Sequence, residues 1–285
     1  MIRRILRTGF ALLALAALWF GWQTWRFLDA HESFKKPEFD TVAPQLPEDL
    51  GDNAILVFSK TNSYRHTDAI AAVEQLFRAY AQREGLRLVV TENAAIHDAS
   101  LLRHFRLVVW NNNTGDVLLP AQQAALRAWL EGGGRWLGIH GAGGSFDYGW
   151  AWYPDELVRA RFIGHTMLPH MPEATIVVED RAHPAMAGLP ERWARFEEWY
   201  SFAASPRARV HVLASLDEST YGAADALRMH GDHPLVWWHR VGEGYVFYTA
   251  LGHSGTAYEE PLYHTLLENA TRWLMAAEDA AAAGT

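Results

Sequence analysis

Between residues 54 and 140, short apolar runs alternate with stretches of helical periodicity, and this alternation limits the possible folds most strongly. Apolar runs of this length are typical of strands buried on both faces of a sheet. Strands joined through helices build a parallel sheet that is covered by helices on both faces. The predicted strands are Ala54–Ser59, Leu86–Thr91, Leu107–Asn111 and Arg135–His140, and the helices between them start at an N-cap on Thr67 and at Pro120.

After about residue 174 the pattern changes, because strand-like runs follow one another with few helices between them. The last predicted element is a helix from about Tyr258 to Met275. We therefore predict one α/β domain over residues 53–276, with a mostly parallel central sheet and extra β-strands from the C-terminal half. The additional strands are predicted at Thr175–Glu179, Val210–Ser215, Leu235–Arg240 and Tyr245–Leu251.

Composition excludes several classes of function. The chain has 25 basic and 33 acidic residues, a net charge of −8 and no basic cluster, which argues against a nucleic-acid partner. It has no cysteine, which excludes disulfides, a thiolate nucleophile and cysteine-ligated metals. Motifs of the HExxH, Walker A and GxGxxG types do not occur, so metalloprotease, nucleotide-hydrolase and dinucleotide-binding functions lack support.

The N-terminal segment has the pattern of a membrane anchor. Three arginines precede an uncharged stretch from Thr8 to Trp25, which just reaches the length that crosses a bilayer. This pattern predicts a transmembrane signal anchor over residues 1–28, with the domain in the periplasm or otherwise outside the cytoplasm. The alternative is a signal peptide that is cleaved after the small-residue motif Ala14-Leu15-Ala16.

Two further segments have the composition of connections. Residues 29–52 combine prolines with charged residues and contain few large apolar groups, which predicts a linker. The alternative for part of this segment is a strap that lies on the domain. The alanine-rich residues 277–285 are predicted to form a disordered tail.

Polar residues follow three of the predicted strands. Open α/β sheets bind ligands outside the carboxyl ends of their strands, so these residues converge on one rim. The expected substrate-binding residues of this rim are Lys60, Tyr64, Arg65, Asn111 and Asp116.

After the fourth strand, Gly138-Ile-His140-Gly-Ala has the form of a strand-to-helix elbow, in which small neighbours hold one side chain exposed. Flavodoxin-like glutamine amidotransferases carry a cysteine at this elbow, whereas this chain has His140. Since the amidotransferase reaction needs a thiolate, the chain is not a glutamine amidotransferase.

Seven stretches, in this order and spacing, resemble the ThuA-like (trehalose-utilisation) family, a branch of the class I glutamine amidotransferase-like superfamily. They span about residues 54–275. The matching stretches are Phe58-Ser-Lys-Thr with Tyr64-Arg65-His66, Gly138-Ile-His140, Phe162-Ile-Gly-His165, His183-Pro184, Glu197-Glu198-Trp199-Tyr200, Gly231-Asp-His233-Pro-Leu-Val-Trp237 and Gly244-Tyr-Val-Phe-Tyr-Thr-Ala-Leu-Gly-His253.

The resemblance implies a flavodoxin-like three-layer sandwich and a role in carbohydrate metabolism, in some members with 3-keto disaccharides. The chain departs from the family pattern at three positions. The family usually has Asp at Glu197, Arg at Tyr245 and Pro at Thr166.

His140, Glu198, His253 and His66 are the candidate catalytic residues, because imidazole and carboxylate groups exchange protons near neutral pH. A carboxylate beside aromatic rings, as in Glu198-Trp199-Tyr200, is expected to have a raised pKa. A candidate metal set is His140, His165 and His253, and a His/Glu set without cysteine suits a divalent ion such as Zn or Mn. Aromatic faces pack on sugar rings, so Trp150, Trp152, Trp199 and Tyr200 are expected to line the pocket.

Three hypotheses about function remain open at this stage. The first is an enzyme, a hydrolase, lyase or isomerase that cleaves or isomerises a sugar or 3-keto-glycoside by His/Glu acid–base chemistry. The second is a saccharide-binding module of the same fold without catalysis. The third is a structural member that has lost activity, which the departures at Glu197 and Tyr245 keep open.

Overall fold

The computed structural model describes residues 2–30 and 35–277 of the chain. The predicted tail at 277–285 therefore lies outside the described residues except for Ala277. Residues 31–34 of the predicted linker also lie outside them. The helices are α1 (Ile2–Ala30), α2 (Thr67–Glu84), α3 (Ala99–Leu102), α4 (Pro120–Glu131) and α5 (Pro261–Ala276).

A nine-stranded mixed sheet forms the centre of the domain, with the strand order β2-β1-β3-β4-β11-β10-β9-β6-β7. The first five strands in this order pair in parallel and the other four pair antiparallel. A separate pair, β5 and β8, lies outside this sheet. The strands are β1 (Ala54–Phe58), β2 (Leu88–Thr91), β3 (Phe105–Asn111), β4 (Arg135–Ile139), β5 (Phe162–Gly164), β6 (Glu173–Val178), β7 (Arg192–Phe196), β8 (Ser201–Phe202), β9 (His211–Asp217), β10 (Pro234–Val241) and β11 (Gly244–Thr249).

This architecture confirms the predicted flavodoxin-like α/β fold with extra strands in the C-terminal half. The chain runs from β1 to β2 in one direction of the sheet and from β3 to β4 in the other. Right-handed crossovers therefore place α2 and α4 on opposite faces. The strand order reverses between β1 and β3, and a bridge between Thr61 and Thr114 joins the loops that follow these two strands. Such a reversal is where open α/β sheets form their ligand crevice.

Four elements escaped the sequence analysis, namely α3, β5, β7 and β8. Three of them have four residues or fewer, which is too short for a periodic signal. In β7 the alternation is present, but one buried position is occupied by Arg195, so the buried face does not appear apolar. The predicted N-cap at Thr67 is also wrong, since the cap is His66 and no side chain caps the helix.

Part of the predicted linker lies on the domain as a strap. The side chain of Asp40 pairs with Lys60 at 2.8 Å and accepts a hydrogen bond from the backbone of Ala94. The backbone of Glu38 exchanges two hydrogen bonds with the Asn62 side chain. Leu50 is buried at the end of this segment. The strap therefore buttresses the loop after β1, which forms part of the rim.

The N-terminal helix α1 was expected to be a membrane anchor. Within residues 2–30 and 35–277, none of the helices combines the length and apolar character that a bilayer span requires. The predicted transmembrane helix is therefore not supported. Membrane attachment and the periplasmic location stay predictions from the sequence alone.

His97 lies in the core, although nothing in the sequence distinguished it from a surface histidine. It is 1 % exposed, and its ring packs edge-on against Phe58 with the centroids 4.5 Å apart. Its Nδ1–H donates to the carbonyl oxygen of Ala94, and its Nε2 accepts a hydrogen bond from the Trp110 indole at 3.3 Å. Both ring nitrogens are thus satisfied only while the imidazole is neutral.

This histidine makes stability pH-dependent. Burial lowers the pKa of His97 from 6.5 to about 4, so between these values the unfolded chain binds more protons than the folded protein. The stabilising contribution is complete above pH 6.5 and is lost as the pH falls towards 4. We expect the free energy of unfolding to fall by about 3 kcal/mol more in the wild type than in His97→Leu over this window. Urea denaturation at a series of pH values measures the difference, and parallel profiles would contradict the prediction.

Candidate functional site

The turn after β4 places His140 at the predicted elbow. His140 has φ of 44°, a left-handed conformation that is uncommon outside glycine. The turn is tight, since a Cβ atom on Gly141 would lie 3.1 Å from the backbone of Asn112. The side chain is not exposed as expected. It is fully buried and reaches Glu198.

Segments far apart in the sequence bring histidines to one oxygen of the Glu198 carboxylate. Nε2 of His140 lies 3.1 Å from Glu198 Oε2, and Nδ1 of His253 lies 3.0 Å from it. The His66 ring stands perpendicular to both imidazoles, with centroids 4.9 Å from His140 and 5.1 Å from His253. We call His66, His140, His253 and Glu198 the inner cluster. One ligand atom from each lies within 4.8 Å of the others.

The hydrogen bond on the far side of His140 decides which ring nitrogen carries the proton. Nδ1 lies 2.7 Å from the carbonyl oxygen of Ala250, and a carbonyl oxygen only accepts, so Nδ1–H donates. In the neutral imidazole, Nε2 then presents a lone pair to another acceptor, Glu198 Oε2. Two acceptors at this distance repel each other unless a proton or a metal ion lies between them. Such an anchoring carbonyl is usual behind metal-binding histidines.

His253 shows a related feature. Its Nδ1 is buried and makes no hydrogen bond, although Glu198 Oε2 is only 3.0 Å away. The direction of the contact, and not its length, is therefore unsuitable for a hydrogen bond. A buried polar atom left unsatisfied costs about 1–3 kcal/mol. A metal ion in the inner cluster would satisfy this nitrogen together with that of His140.

The Glu198 carboxylate is held in its charged form. Burial by itself raises its pKa, but the contacts from His140, His170 and His253 outweigh burial and bring the pKa well below its ordinary range. This is opposite to the raised pKa expected from the neighbouring aromatic rings. An ionised carboxylate is a metal ligand or an electrostatic partner for these histidines, and it is a poor general acid.

Two more histidines approach the other oxygen of Glu198. Nε2 of His165 lies 3.2 Å and Nε2 of His170 lies 2.5 Å from Oε1. Both residues lie on the loop between β5 and β6, and we call them the outer pair. His165 was predicted to belong to one metal set with His140 and His253. The structure separates them, since His165 faces the opposite oxygen of the carboxylate.

Glu197 positions His253 from beneath the inner cluster. Its carboxylate accepts hydrogen bonds from the backbone amides of Gly252 at 2.8 Å and of His253 at 3.1 Å. It also forms an ion pair with Arg195 at 3.1 Å, and both side chains are almost completely buried.

A cavity of about 670 Å³ opens onto Glu198, a volume typical of small-molecule sites. His66, His165 and His170 lie on its polar side. His140 and His253 are not part of the lining and lie behind Glu198. Aromatic side chains of Phe27, Tyr64, Phe146, Phe162 and Tyr200 form much of the remaining wall.

The three tryptophans predicted to line the pocket lie outside the lining of this cavity. Trp199 is 1 % exposed, and its indole donates to the carbonyl oxygen of Pro172 in the core. Trp150 and Trp152 stack on each other with centroids 4.9 Å apart, outside the cavity lining. Tyr200 lines the cavity as predicted, and its ring stacks on His140 at 4.1 Å. Tyrosine and phenylalanine therefore supply the aromatic surface that the sequence analysis assigned to tryptophan.

Four of the five rim residues also lie outside the cavity lining, while Tyr64 is part of it. Lys60 pairs with Asp40 of the strap, and Arg65 pairs with Glu92 at 2.6 Å. Asn111 is fully buried and donates to a backbone carbonyl of α2. Asp116 accepts a hydrogen bond from the backbone of Gly149. These four polar side chains are therefore engaged in local ion pairs or hydrogen bonds to the backbone. Their position after a strand in the sequence did not predict these contacts.

Several cavity residues were not among the predicted site residues. His170 forms the other end of a short loop that begins at His165, and the spacing of these two histidines matches no strong metal motif. Phe146 gave no signal and Phe162 appeared only as part of a family-like stretch, because a sequence does not show that these two rings meet with centroids 4.9 Å apart. The only available hint for His170 was its proximity to His165 within a short polar loop.

A mostly parallel sheet with a switch-point crevice and a histidine at the elbow is consistent with a domain of the class I glutamine amidotransferase-like type, in a chain that has no cysteine. The family model described as trehalose utilisation, ThuA, matches residues 54–274. The chain belongs to the ThuA family. This membership supports a general sugar-related role.

Solved structures share the fold at low sequence identity. A putative ThuA-like protein from Bacteroides uniformis superposes with a TM-score of 0.69 at 22 % identity, over 84 % of this chain and 98 % of that chain. One from Parabacteroides merdae gives a TM-score of 0.60 at 18 % identity, over 80 % of this chain and 91 % of that chain. Comparison with curated proteins gives no match.

Proposed function

We propose that this protein is a metal-dependent enzyme that cleaves or isomerises an oxidised sugar, of which a 3-keto-glycoside is the leading candidate. The observation that carries the proposal is the inner cluster. Nδ1 of His140 is held by the carbonyl oxygen of Ala250, so Nε2 points at Glu198 Oε2 at 3.1 Å. Nδ1 of His253 lies 3.0 Å from the same oxygen, and this nitrogen makes no hydrogen bond. A divalent cation resolves both features with one set of bonds.

Imidazole nitrogens and one carboxylate oxygen suit Zn²⁺, and Mn²⁺ accepts the same donors less tightly. Bound there, the ion would act as a Lewis acid on a sugar oxygen and lower the pKa of a bound water to near 7. His66 and Glu198 are the members of the inner cluster that line the cavity, so a substrate reaches the cluster on their side.

A ketone at C3 of a sugar makes the proton on C2 acidic, and this acidity explains how one site serves both cleavage and isomerisation. Loss of the C2 proton to a base gives an enediolate whose negative charge lies on the C3 oxygen. Reprotonation at another carbon isomerises the sugar. Expulsion of the C1 substituent breaks the glycosidic bond, forms a C1–C2 double bond and restores the ketone, and the departing oxygen takes up a proton.

The cavity walls suit such a substrate. Tyr64, Phe162 and Tyr200 offer aromatic faces for the apolar faces of a pyranose, and histidines on the polar side address its oxygens. Burial raises the pKa of Tyr200 well above its ordinary value, so its hydroxyl stays protonated. It can therefore donate a hydrogen bond to a sugar oxygen at any physiological pH.

The departures from the family pattern do not argue for a protein that has lost activity. Tyr245 lies near the start of β11, where Arg135 and Arg240 stack on its ring, and it is not part of the cavity lining. Glu197 acts beneath His253 as a buried ion-pair partner. Neither residue alters the groups that face the cavity.

Metal removal tests the proposal on the full chain. We expect dialysis against a chelator to abolish release of p-nitrophenol from p-nitrophenyl 3-keto-β-glucoside, and Zn²⁺ or Mn²⁺ to restore it. His140→Asn should lower turnover by at least about 100-fold, because it removes a ligand nitrogen while asparagine tolerates the left-handed backbone.

The matched control is His264→Ala, a half-buried histidine on α5 that belongs neither to the inner cluster nor to the cavity lining, and this variant should keep wild-type turnover. Turnover that survives complete metal removal would contradict the proposal. Calorimetry that finds saccharide binding with no product after long incubation would instead favour the non-catalytic binding module.

A further inference from the structure

In the outer pair, His165 repeats the arrangement that His140 has in the inner cluster, while Nε2 of His170 lies at hydrogen-bond distance, 2.5 Å, from Glu198 Oε1. Nδ1 of His165 lies 3.0 Å from the carbonyl oxygen of Thr166, so Nδ1–H donates and Nε2 is the lone-pair nitrogen of the neutral ring. That lone pair faces Glu198 Oε1 at 3.2 Å. Two acceptors again face each other, and a backbone carbonyl again anchors the far side of the imidazole.

Each oxygen of the Glu198 carboxylate is approached by a different pair of histidines. His140 and His253 approach Oε2, whereas His165 and His170 approach Oε1. Ligand atoms of His165, His170 and Glu198 lie within 4.8 Å of one another, as those of the inner cluster do. The ligand atoms thus form two groups that share only Glu198, and the nitrogens of the two groups approach opposite oxygens of its carboxylate.

From this we infer that Glu198 bridges two divalent cations, one in the inner cluster and one held by His165, His170 and Glu198 Oε1. The inference rests on the proposed function, to which it adds a second metal position. Carboxylates that bridge metals about 3.5–4 Å apart are common where two oxygens of a substrate must be held together.

The outer position differs from the inner one in its access. His165 and His170 both line the cavity, and the His170 side chain is 39 % exposed, whereas His140 is fully buried. With only three protein ligands, an ion there keeps coordination positions open towards the cavity. The outer ion would therefore contact substrate directly, and adjacent oxygens of a keto sugar, such as O2 and O3, match a pair of ions.

The experiment counts metal and needs no substrate. The full chain is stripped with a chelator, reloaded with Zn²⁺ alone or Mn²⁺ alone, and desalted before elemental analysis. We expect two equivalents per chain in the wild type and one in His165→Ala/His170→Ala. The loop that carries these histidines is partly exposed, so the double variant should fold. His170→Gln provides a milder second variant, and His264→Ala is the matched control.

The Mn²⁺-loaded protein gives a second readout. Two ions bridged by one carboxylate are magnetically coupled, so the electron paramagnetic resonance spectrum of the wild type should lack the simple six-line signal. That signal should appear in the double variant, where one ion remains.

If the wild type binds one equivalent of metal and the double variant still binds one, the second metal position is ruled out and the proposed function still stands. One equivalent that is lost in the double variant also overturns the second position, because the ion then occupies only the outer position. No bound metal in any form overturns the inference together with the proposed function.

Discussion

Replacing Glu198 by glutamine is expected to abolish turnover, with a loss of at least about 10³-fold. Glutamine keeps the size of the side chain but has one oxygen in place of two, and its NH₂ group cannot bind a cation. Whichever way the amide turns, one set of histidines loses its carboxylate partner. Metal-ion stabilisation is worth several kcal/mol in a transition state, and each 1.36 kcal/mol corresponds to tenfold in rate.

The measurement is steady-state turnover of the 3-keto-glucoside together with metal content for the wild type and Glu198→Gln. Glu191→Gln is the matched control, since its side chain is 69 % exposed and has no site contact. Activity within about tenfold of the wild type, at full metal content, would remove Glu198 from the mechanism.

Glu197→Gln is expected to lower the free energy of unfolding by about 3–5 kcal/mol. The change leaves the Arg195 cation buried with its main partner gone, and removing one member of a buried ion pair typically costs this much. It also weakens the two backbone hydrogen bonds that hold the turn at His253. Urea denaturation at neutral pH measures the loss.

Two further variants separate charge from packing. Glu260 also lies near Arg195, at 3.5 Å, but its side chain is 42 % exposed, so Glu260→Gln should cost less than about 1 kcal/mol. Arg195→Met in the Glu197→Gln background should recover part of the stability, because no uncompensated charge remains buried. Equal losses in Glu197→Gln and Glu260→Gln would contradict the prediction.

Periodicity predicted the strands of the parallel half well, because each is a continuous apolar run between helices. Ala54–Phe58 and Arg135–Ile139 end within one residue of their predicted bounds. β7 was missed because a buried arginine interrupts its apolar face, and an ion partner such as Glu197 is invisible in sequence. A strand whose buried polar residue is neutralised by a partner from another segment has no local sequence pattern that identifies it.

The candidate site was predictable where motif and strand end coincide. His66 precedes a helix, and His140 and His253 follow predicted strands. Glu198 follows β7, which was missed, so only the Glu197-Glu198-Trp199-Tyr200 stretch indicated it. All four meet in the inner cluster. Lys60 and Arg65 follow a strand as well, yet ion pairs with neighbouring carboxylates occupy them. Whether a polar residue after a strand joins the site or an ion pair depends on which side chains from other elements lie near it.

The sequence by itself determined the α/β fold, the absence of thiol chemistry and the histidine at the elbow, since all three follow from local patterns and residue types. Only the tertiary structure decided which atoms meet. It placed His165 and His170 on one oxygen of Glu198 and His140 and His253 on the other. The reason is physical: hydrogen-bond anchors such as Ala250 and Thr166 orient each imidazole, and they come from segments whose proximity depends on the whole packed sheet.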